Sequence, residues 1–235
     1  MRIDQQPGYV LHARPYRETS LLLECLTRDH GRIGVVARGA RSGKGQLQRA
    51  QLEPFQPLLF DLLLRGELAT LRTAEPAAAP ARLIGDAGLA GLYLNELVVK
   101  LTGRQDPQPE VFASYADALS RLARGEPMAW TLRRFERDFL QSLGYALVLT
   151  HDIDGEPVIA SEAYAYRAER GPVRAAVRQA GTIDGASLLA LAEDRPPDAA
   201  GLQALRAMMR ETIRFHLGGG ELRSWQVLGA ALARR

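Results

Sequence analysis

Along the first eighty or so residues, apolar positions fall in short runs separated by turn-forming residues. Tyr9-Val10-Leu11-His12 opens an extended run that Pro15 breaks. Thr19 to Thr27 reads as a strand, Arg28-Asp29-His30-Gly31 as a turn, and Arg32 to Arg38 as the hairpin partner. A loop containing Gly, Ser and Arg follows, from Gly39 to about Leu52. Phe55 to Leu64 is the next apolar run, interrupted by Gln56, Pro57 and Asp61. Arg65-Gly66 turns it into a last strand, Leu68 to Thr73. Five short strands in so small a space suit a closed barrel of the OB type.

Pro76-Ala77-Ala78-Ala79-Pro80 ends this pattern, and the period changes beyond it. Leu83, Ala87, Ala90, Leu94, Leu97 and Leu101 are spaced by threes and fours, as on an amphipathic helix. Val111, Tyr115, Ala118, Leu119 and Leu122 predict a second helix. Met128, Leu132, Phe135, Phe139 and Leu143 predict a third, ended by Gly144 as its C-terminal cap. From His151 to Gly185 the pattern gives only mixed short strand or loop signals. Leu202, Leu205, Met209, Ile213 and His216 predict a late helix stopped by Gly218-Gly219-Gly220, and Trp225 to Leu232 a final one. The expected class is α+β with two domains: a five-stranded OB-type barrel over 1–80 and a mainly α-helical domain over 81–235.

Composition narrows this only modestly. With 46% hydrophobic and 24% charged residues, a chain of 235 residues forms a packed core without staples. The single cysteine, Cys25, excludes an internal disulfide and a cysteine-based zinc site, and a reducing cytoplasm is the simplest setting. The opening Met1-Arg2-Ile3-Asp4-Gln5-Gln6 is not the start expected of a secretory signal. The most apolar stretch, Leu89 to Leu101, carries Asn95, Glu96 and Lys100, and no membrane span is expected. Net charge is +3, and all of it sits in residues 1–80, which hold 11 Arg or Lys against 8 Asp or Glu; the remainder holds 19 of each.

From Gly31 to Leu52 there are Arg32, Arg38, Arg41, Lys44 and Arg49 and no acid. Such a cluster on a glycine-containing loop tracks a phosphate backbone, so these five residues are the candidate DNA-binding groups. Arg14 and Tyr16 of the neighbouring Arg14-Pro15-Tyr16-Arg17-Glu18 turn join them, Tyr16 as a base-stacking ring. Gly39 to Gly45 is no phosphate-binding P-loop, because three residues separate Gly39 from Gly43 and Gly45 follows Lys44 where a hydroxyl is needed. His151, Asp152 and Asp154 could serve a metal-dependent hydrolase, but the other ligands of a calcium loop are missing and a polar turn is the favoured reading. Arg206, Arg210 and Arg214 would line one face of the late helix, as a solvated stripe or an additional DNA contact. Arg133, Arg134 and Arg137 flank the third helix's apolar seam, where an arginine could hold a peptide carboxylate.

Several segments, in order, resemble the RecO family of bacterial recombination mediators. They are Val10 to Ser20, His30-Gly31-Arg32, Val36 to Arg41, Leu52 to Leu58 and Arg65 to Leu68 with Thr70-Leu71. In the second half they are Gly91 to Leu97, Leu132 to Glu136, Leu143-Gly144-Tyr145 and Leu217-Gly218-Gly219. The resemblance implies an OB-fold followed by a helical domain, no bond chemistry and no cofactor. It implies binding of single- and double-stranded DNA and annealing of complementary strands by a nucleoid-associated protein. It further implies partnership with RecR, and so indirectly with RecA, on DNA covered by single-strand-binding protein. That protein's acidic C-terminal tail would bind at the positions matching Arg133, Arg134 and Phe135, with Tyr93 and Leu97 as a wall. Many relatives carry a four-cysteine zinc module here absent, so no metal is expected and His151 to Gly171 is left mobile or held by packing alone. An RNA-binding or translation-associated OB protein is the alternative.

Overall fold

The computed structural model describes residues 1–42, 50–79 and 82–232. They form two compact units, one of Met1–Gly125 with Leu222–Arg235 and one of Glu126–Glu221. Within the first unit, helices that follow the barrel in sequence pack with it.

Five strands build the barrel: β1 (Arg2–Tyr16), β2 (Ser20–Thr27), β3 (Gly31–Ala37), β4 (Leu58–Arg65) and β5 (Leu68–Pro76). Their order is β1-β2-β3-β5-β4, closing back onto β1, with β3–β5 parallel and the other pairs antiparallel. This is the OB-like barrel expected, and closure removes the sheet edges. Alternation along the strands fills the interior. Leu21, Leu23 and Cys25 of β2 lie opposite Ala37, Val35 and Ile33 of β3, and all are buried with Val10, Phe60, Leu62 and Leu71. Strand β1 is longer than its apolar run, starting seven residues before Tyr9 and continuing through Pro15. Its first half is mostly polar, with Ile3 as its buried anchor, and Pro15 sits at the strand's end, where a missing N–H costs least.

Helices α1 (Asp86–Leu101) and α2 (Pro109–Ala123) pack on the outside of this barrel. The β1–β2 register skips Leu11 between Val10 and His12, which leaves Leu11 as a bulge. Buried Asn95 on α1 answers it: its Nδ2 donates to the Leu11 carbonyl at 2.8 Å, and its Oδ1 accepts from the Tyr115 hydroxyl at 2.6 Å. Tyr9 packs against Phe112 and Tyr115, with ring centroids 5.5 and 5.2 Å apart. Phe55 lies directly on Gly91, where a Cβ would come within 2.7 Å of its ring. The last helix, α6 (Arg223–Leu232), is capped by Glu96 of α1, whose carboxylate accepts from the Arg223 and Ser224 amides and the Ser224 hydroxyl at 2.9, 2.9 and 2.6 Å.

The second unit contains α3 (Met128–Ser142), a small antiparallel sheet of β6 (Ala163–Arg167), β7 (Gly171–Arg174) and β8 (Thr182–Asp184) in the order β7-β6-β8, then α4 (Gly185–Ala192) and α5 (Ala199–His216). Its core joins Trp130 and Leu140 of α3 to Leu149, Val158, Tyr164, Ile183, Leu188, Leu191, Leu205 and Met209. Gly144 ends α3 as expected: at φ 85 its N–H bonds to the Gln141 carbonyl, and the Tyr145 N–H reaches back to Leu140 at 2.8 Å. The stretch from His151 to Gly171 is held by specific bonds as well as packing. Asp152 Oδ1 accepts from the amides of Asp154 and Glu156, both at 3.0 Å, and the buried Tyr164 hydroxyl accepts from the Ile159 N–H at 2.9 Å. Helix α4 was not legible because GASLLALA is apolar on every face; Asp184 starts it by accepting from the Ser187 N–H at 2.7 Å. Among the described residues, no helix is long and apolar enough to cross a membrane.

Candidate nucleic-acid interface

The β1–β2 turn and the residues after β3 meet at one end of the barrel. The backbone N–H of Arg41 donates to the Thr19 carbonyl at 2.8 Å, and the Arg41 guanidinium reaches the Arg17 carbonyl at 3.4 Å. Ser42 closes the intervening turn on Gly39, its amide and hydroxyl both donating to the Gly39 carbonyl. These contacts bracket an open groove of about 720 Å³ lined by Tyr16, Arg17, Thr19, Arg38 and Thr70, among others. Arg17 adopts φ 53 and its guanidinium carbon lies 5.2 Å from the centre of the Tyr16 ring. Arg14 lies on the outward face, in the row Arg14, Leu22, Val36 and Thr70 across β1, β2, β3 and β5.

Among the described residues, none of Arg14, Arg17, Arg38 and Arg41 has a carboxylate partner. Arg32 differs. Its Nη1 pairs with Glu24 at 2.9 Å and its Nη2 donates to the Thr102 carbonyl at 2.8 Å, while Arg104 takes the other Glu24 oxygen. Arg32 therefore ties β2 and β3 to the end of α1, and its guanidinium is already engaged within the chain. Lys44 and Arg49 lie outside the described residues. Arg17 was missed because, by sequence, it is one arginine beside an acid in a turn; its neighbour Tyr16 was the available signal.

Among the described residues, no three His, Cys, Asp or Glu side chains gather as a metal site. Asp152 is occupied in its own turn, and His151 Nδ1 sits 3.0 Å from the Thr150 hydroxyl. Burial pushes the Cys25 thiol well up, so it is a core side chain and not a nucleophile.

The chain matches two family models, recombination protein O N-terminal over residues 1–80 and recombination protein O C-terminal over residues 85–226. The chain belongs to the RecO family. It is 48% identical to the DNA repair protein RecO of Stenotrophomonas maltophilia (strain R551-3) over 239 residues, covering all of both chains. The same name belongs to proteins of Xanthomonas euvesicatoria pv. vesicatoria and Xanthomonas oryzae pv. oryzae (strain PXO99A), 48% and 47% identical over 240 residues, again at full coverage of both chains.

The positions where RecO-family resemblance suggested a partner-tail site are divided between the two units. Tyr93 and Leu97 are buried in the first unit, and Phe135 is buried in the second, stacked on Phe139 at 5.3 Å. Arg133 is itself buried and bound through two nitrogens to the buried carboxylate of Glu136, one bond being 2.6 Å long. These positions come from the family resemblance, which carries no information on how deeply each side chain is buried in this chain. Arg134 keeps some exposure; its Nε lies 2.7 Å from Asp194, off the line of a hydrogen bond, so the contact is an ion pair only. The late stripe also divides: Arg206 is exposed, Arg210 contacts Glu221, and Arg214 pairs with Glu211 and Glu221.

Proposed function

We propose that this protein is a DNA repair and recombination mediator that binds DNA and anneals complementary strands without making or breaking covalent bonds. The observation that carries the reading is the cluster of Tyr16, Arg17 and Arg38 lining an open groove on an OB-like barrel, with Arg41 bonded to the backbone of Arg17 and Thr19 beside it, in a chain of the RecO family. Unpaired guanidinium groups hold phosphates of either strand type, largely without regard to sequence. The Tyr16 ring, with Arg17 beside it, offers a base a face to stack on. Neutralising charge along a strand lowers the repulsion that slows pairing with its complement. The barrel with 1–80 as its DNA-binding domain, and the remainder as a platform for protein partners, follow from that division of charge.

In this reading the protein works in the cytoplasm on DNA covered by single-strand-binding protein, is recruited through that protein's acidic tail, and with RecR helps load RecA. Of the five residues named for the tail, Arg134 is the one with exposure left to offer. The reading is tested by titrating the full chain with single-stranded DNA at several salt concentrations, beside an Arg17→Ala/Arg38→Ala/Arg41→Ala variant. Three lost phosphate contacts should flatten the logarithmic salt slope by about 2, at roughly 0.7 per contact. The variant should also anneal complementary strands more slowly. An unchanged slope and rate would remove the barrel groove from the mechanism. Stronger binding of RNA than of DNA by the unaltered chain would favour a translation-associated role.

A further inference from the structure

The second unit has a groove of its own, about 660 Å³, between the β6–β7 turn and the end of α5. The end of α5 shapes it, and the end of α3 helps shape an adjoining hollow lined by Tyr145 and His216. Helix α5 stops at Gly218, φ 65, whose N–H bonds to the Phe215 carbonyl at 3.0 Å while the Gly219 N–H reaches Arg214 at 2.9 Å. This is the same reversal that Gly144 makes after α3. The two reversals bring three rings together at the surface. Tyr145 stacks on His216 with centroids 4.2 Å apart and planes 28° apart, and Phe215 meets His216 edge-on at 5.4 Å. Phe215 is 54% exposed and Tyr145 43%, unusual for rings of this size unless something covers them. Burial holds His216 below its ordinary pKa of 6.5 against the opposing charge of Glu169, so the ring is neutral at neutral pH and free to stack.

The charges around these rings lean positive: Arg167, Arg170 and Arg214 stand against Glu169 and Glu211. Arg167 and Arg170 are exposed on the β6–β7 turn, and among the described residues neither has a carboxylate partner. The groove's own acid, Glu211, is already paired with Arg214. Open cations beside flat, solvent-facing rings complement an anionic polymer with planar groups.

We propose that this groove and the adjoining hollow form a second site for single-stranded nucleic acid, with bases stacking on Phe215 in the groove and on the Tyr145–His216 pair in the hollow, and phosphates held by Arg167 and Arg170. The proposal rests on the reading of the chain as a nucleic-acid-binding protein, and it places the second unit's contact at the β6–β7 turn and not along the Arg206, Arg210 and Arg214 stripe. One site in each compact unit lets a single molecule hold two strands, which annealing requires. An acidic peptide is the less fitting occupant, since its apolar side chain would want an enclosed pocket where this structure offers an open shelf.

The test uses the full chain carrying Arg17→Ala/Arg38→Ala/Arg41→Ala, so that binding through the barrel is removed, and an oligothymidylate as probe. Residual binding should remain. Adding Arg167→Ala/Arg170→Ala should flatten its logarithmic salt slope by about 1.4, two contacts at roughly 0.7 each. Adding Phe215→Ala should weaken it roughly fivefold or more, the loss of one stacked base. An iodouracil-substituted oligonucleotide should crosslink to the peptides bearing Tyr145 and Phe215. Residual binding that is indifferent to these substitutions, with no adduct in the second unit, overturns the proposal. So does an acidic, phenylalanine-ended peptide whose binding is lost in Arg167→Ala/Arg170→Ala while DNA binding is not. If the three barrel substitutions leave DNA binding untouched, the barrel reading fails by itself and the crosslink still decides the second site.

Discussion

Replacing Asn95 with leucine is a demanding test of how the barrel is held to its helices. Asn95 makes two bonds from a buried position, one to the bulged Leu11 carbonyl at 2.8 Å and one from the Tyr115 hydroxyl at 2.6 Å. Leucine is close in volume, so the substitution opens little space. It does leave a carbonyl and a phenolic hydroxyl without partners in a dry interface. Each such orphan costs about 1–3 kcal/mol, so Asn95→Leu should destabilise the first unit by roughly 3 kcal/mol. Tyr115→Phe removes one donor and leaves the Asn95 amide half satisfied, a loss of about 1–2 kcal/mol. With both substitutions the orphaned hydroxyl is gone, and the double variant should be less damaged than the sum, by about 1 kcal/mol. Because the chain has two compact units, the measurement should be local: hydrogen exchange of peptides covering β1 and α1 across a urea series. The argument fails if Asn95→Leu stays within about 0.5 kcal/mol of the unaltered chain, or if the two losses simply add.

Two further outcomes follow from other buried or capped groups. Burial alone would raise the pKa of Glu96, but bonds from Ser224 and Arg223 outweigh it and hold the carboxyl below its ordinary 4.5. A depressed folded value means stabilisation present above 4.5 and lost as pH falls through the lower value. Glu96→Gln should therefore speed exchange of the Arg223 and Ser224 amides roughly fivefold at neutral pH, a loss of about 1 kcal/mol after allowing for solvent exposure. It should also abolish the acid step in α6 protection, and a step that survives in the variant would refute this. Glu136→Ala removes both bonds that its buried carboxylate accepts from Arg133 and should destabilise the second unit by about 1–3 kcal/mol in urea; a loss within about 0.5 kcal/mol would show that the pair contributes little to holding α3.

The sequence by itself determined the elements. Period-two apolar runs specified five barrel strands, and spacings of three and four specified α1, α2, α3 and α5, because both signals depend on the side-chain repeat of a single segment. Gly144 was legible as a helix stop for the same local reason. Helix α4 and the small sheet were not, because an all-apolar octapeptide and strands of three to five residues carry too little period to read. The tertiary structure decided which charges are available. Arg32 and Arg38 look alike in the basic run, yet Glu24 and Thr102 occupy one and leave the other lining the groove. Asn95, which in sequence only interrupts an apolar stretch, proves to be the partner of a strand bulge 84 residues away. Pairing of this kind joins groups distant in sequence, so no local pattern carries it. It is also what separates a structural arginine from one free to meet a phosphate.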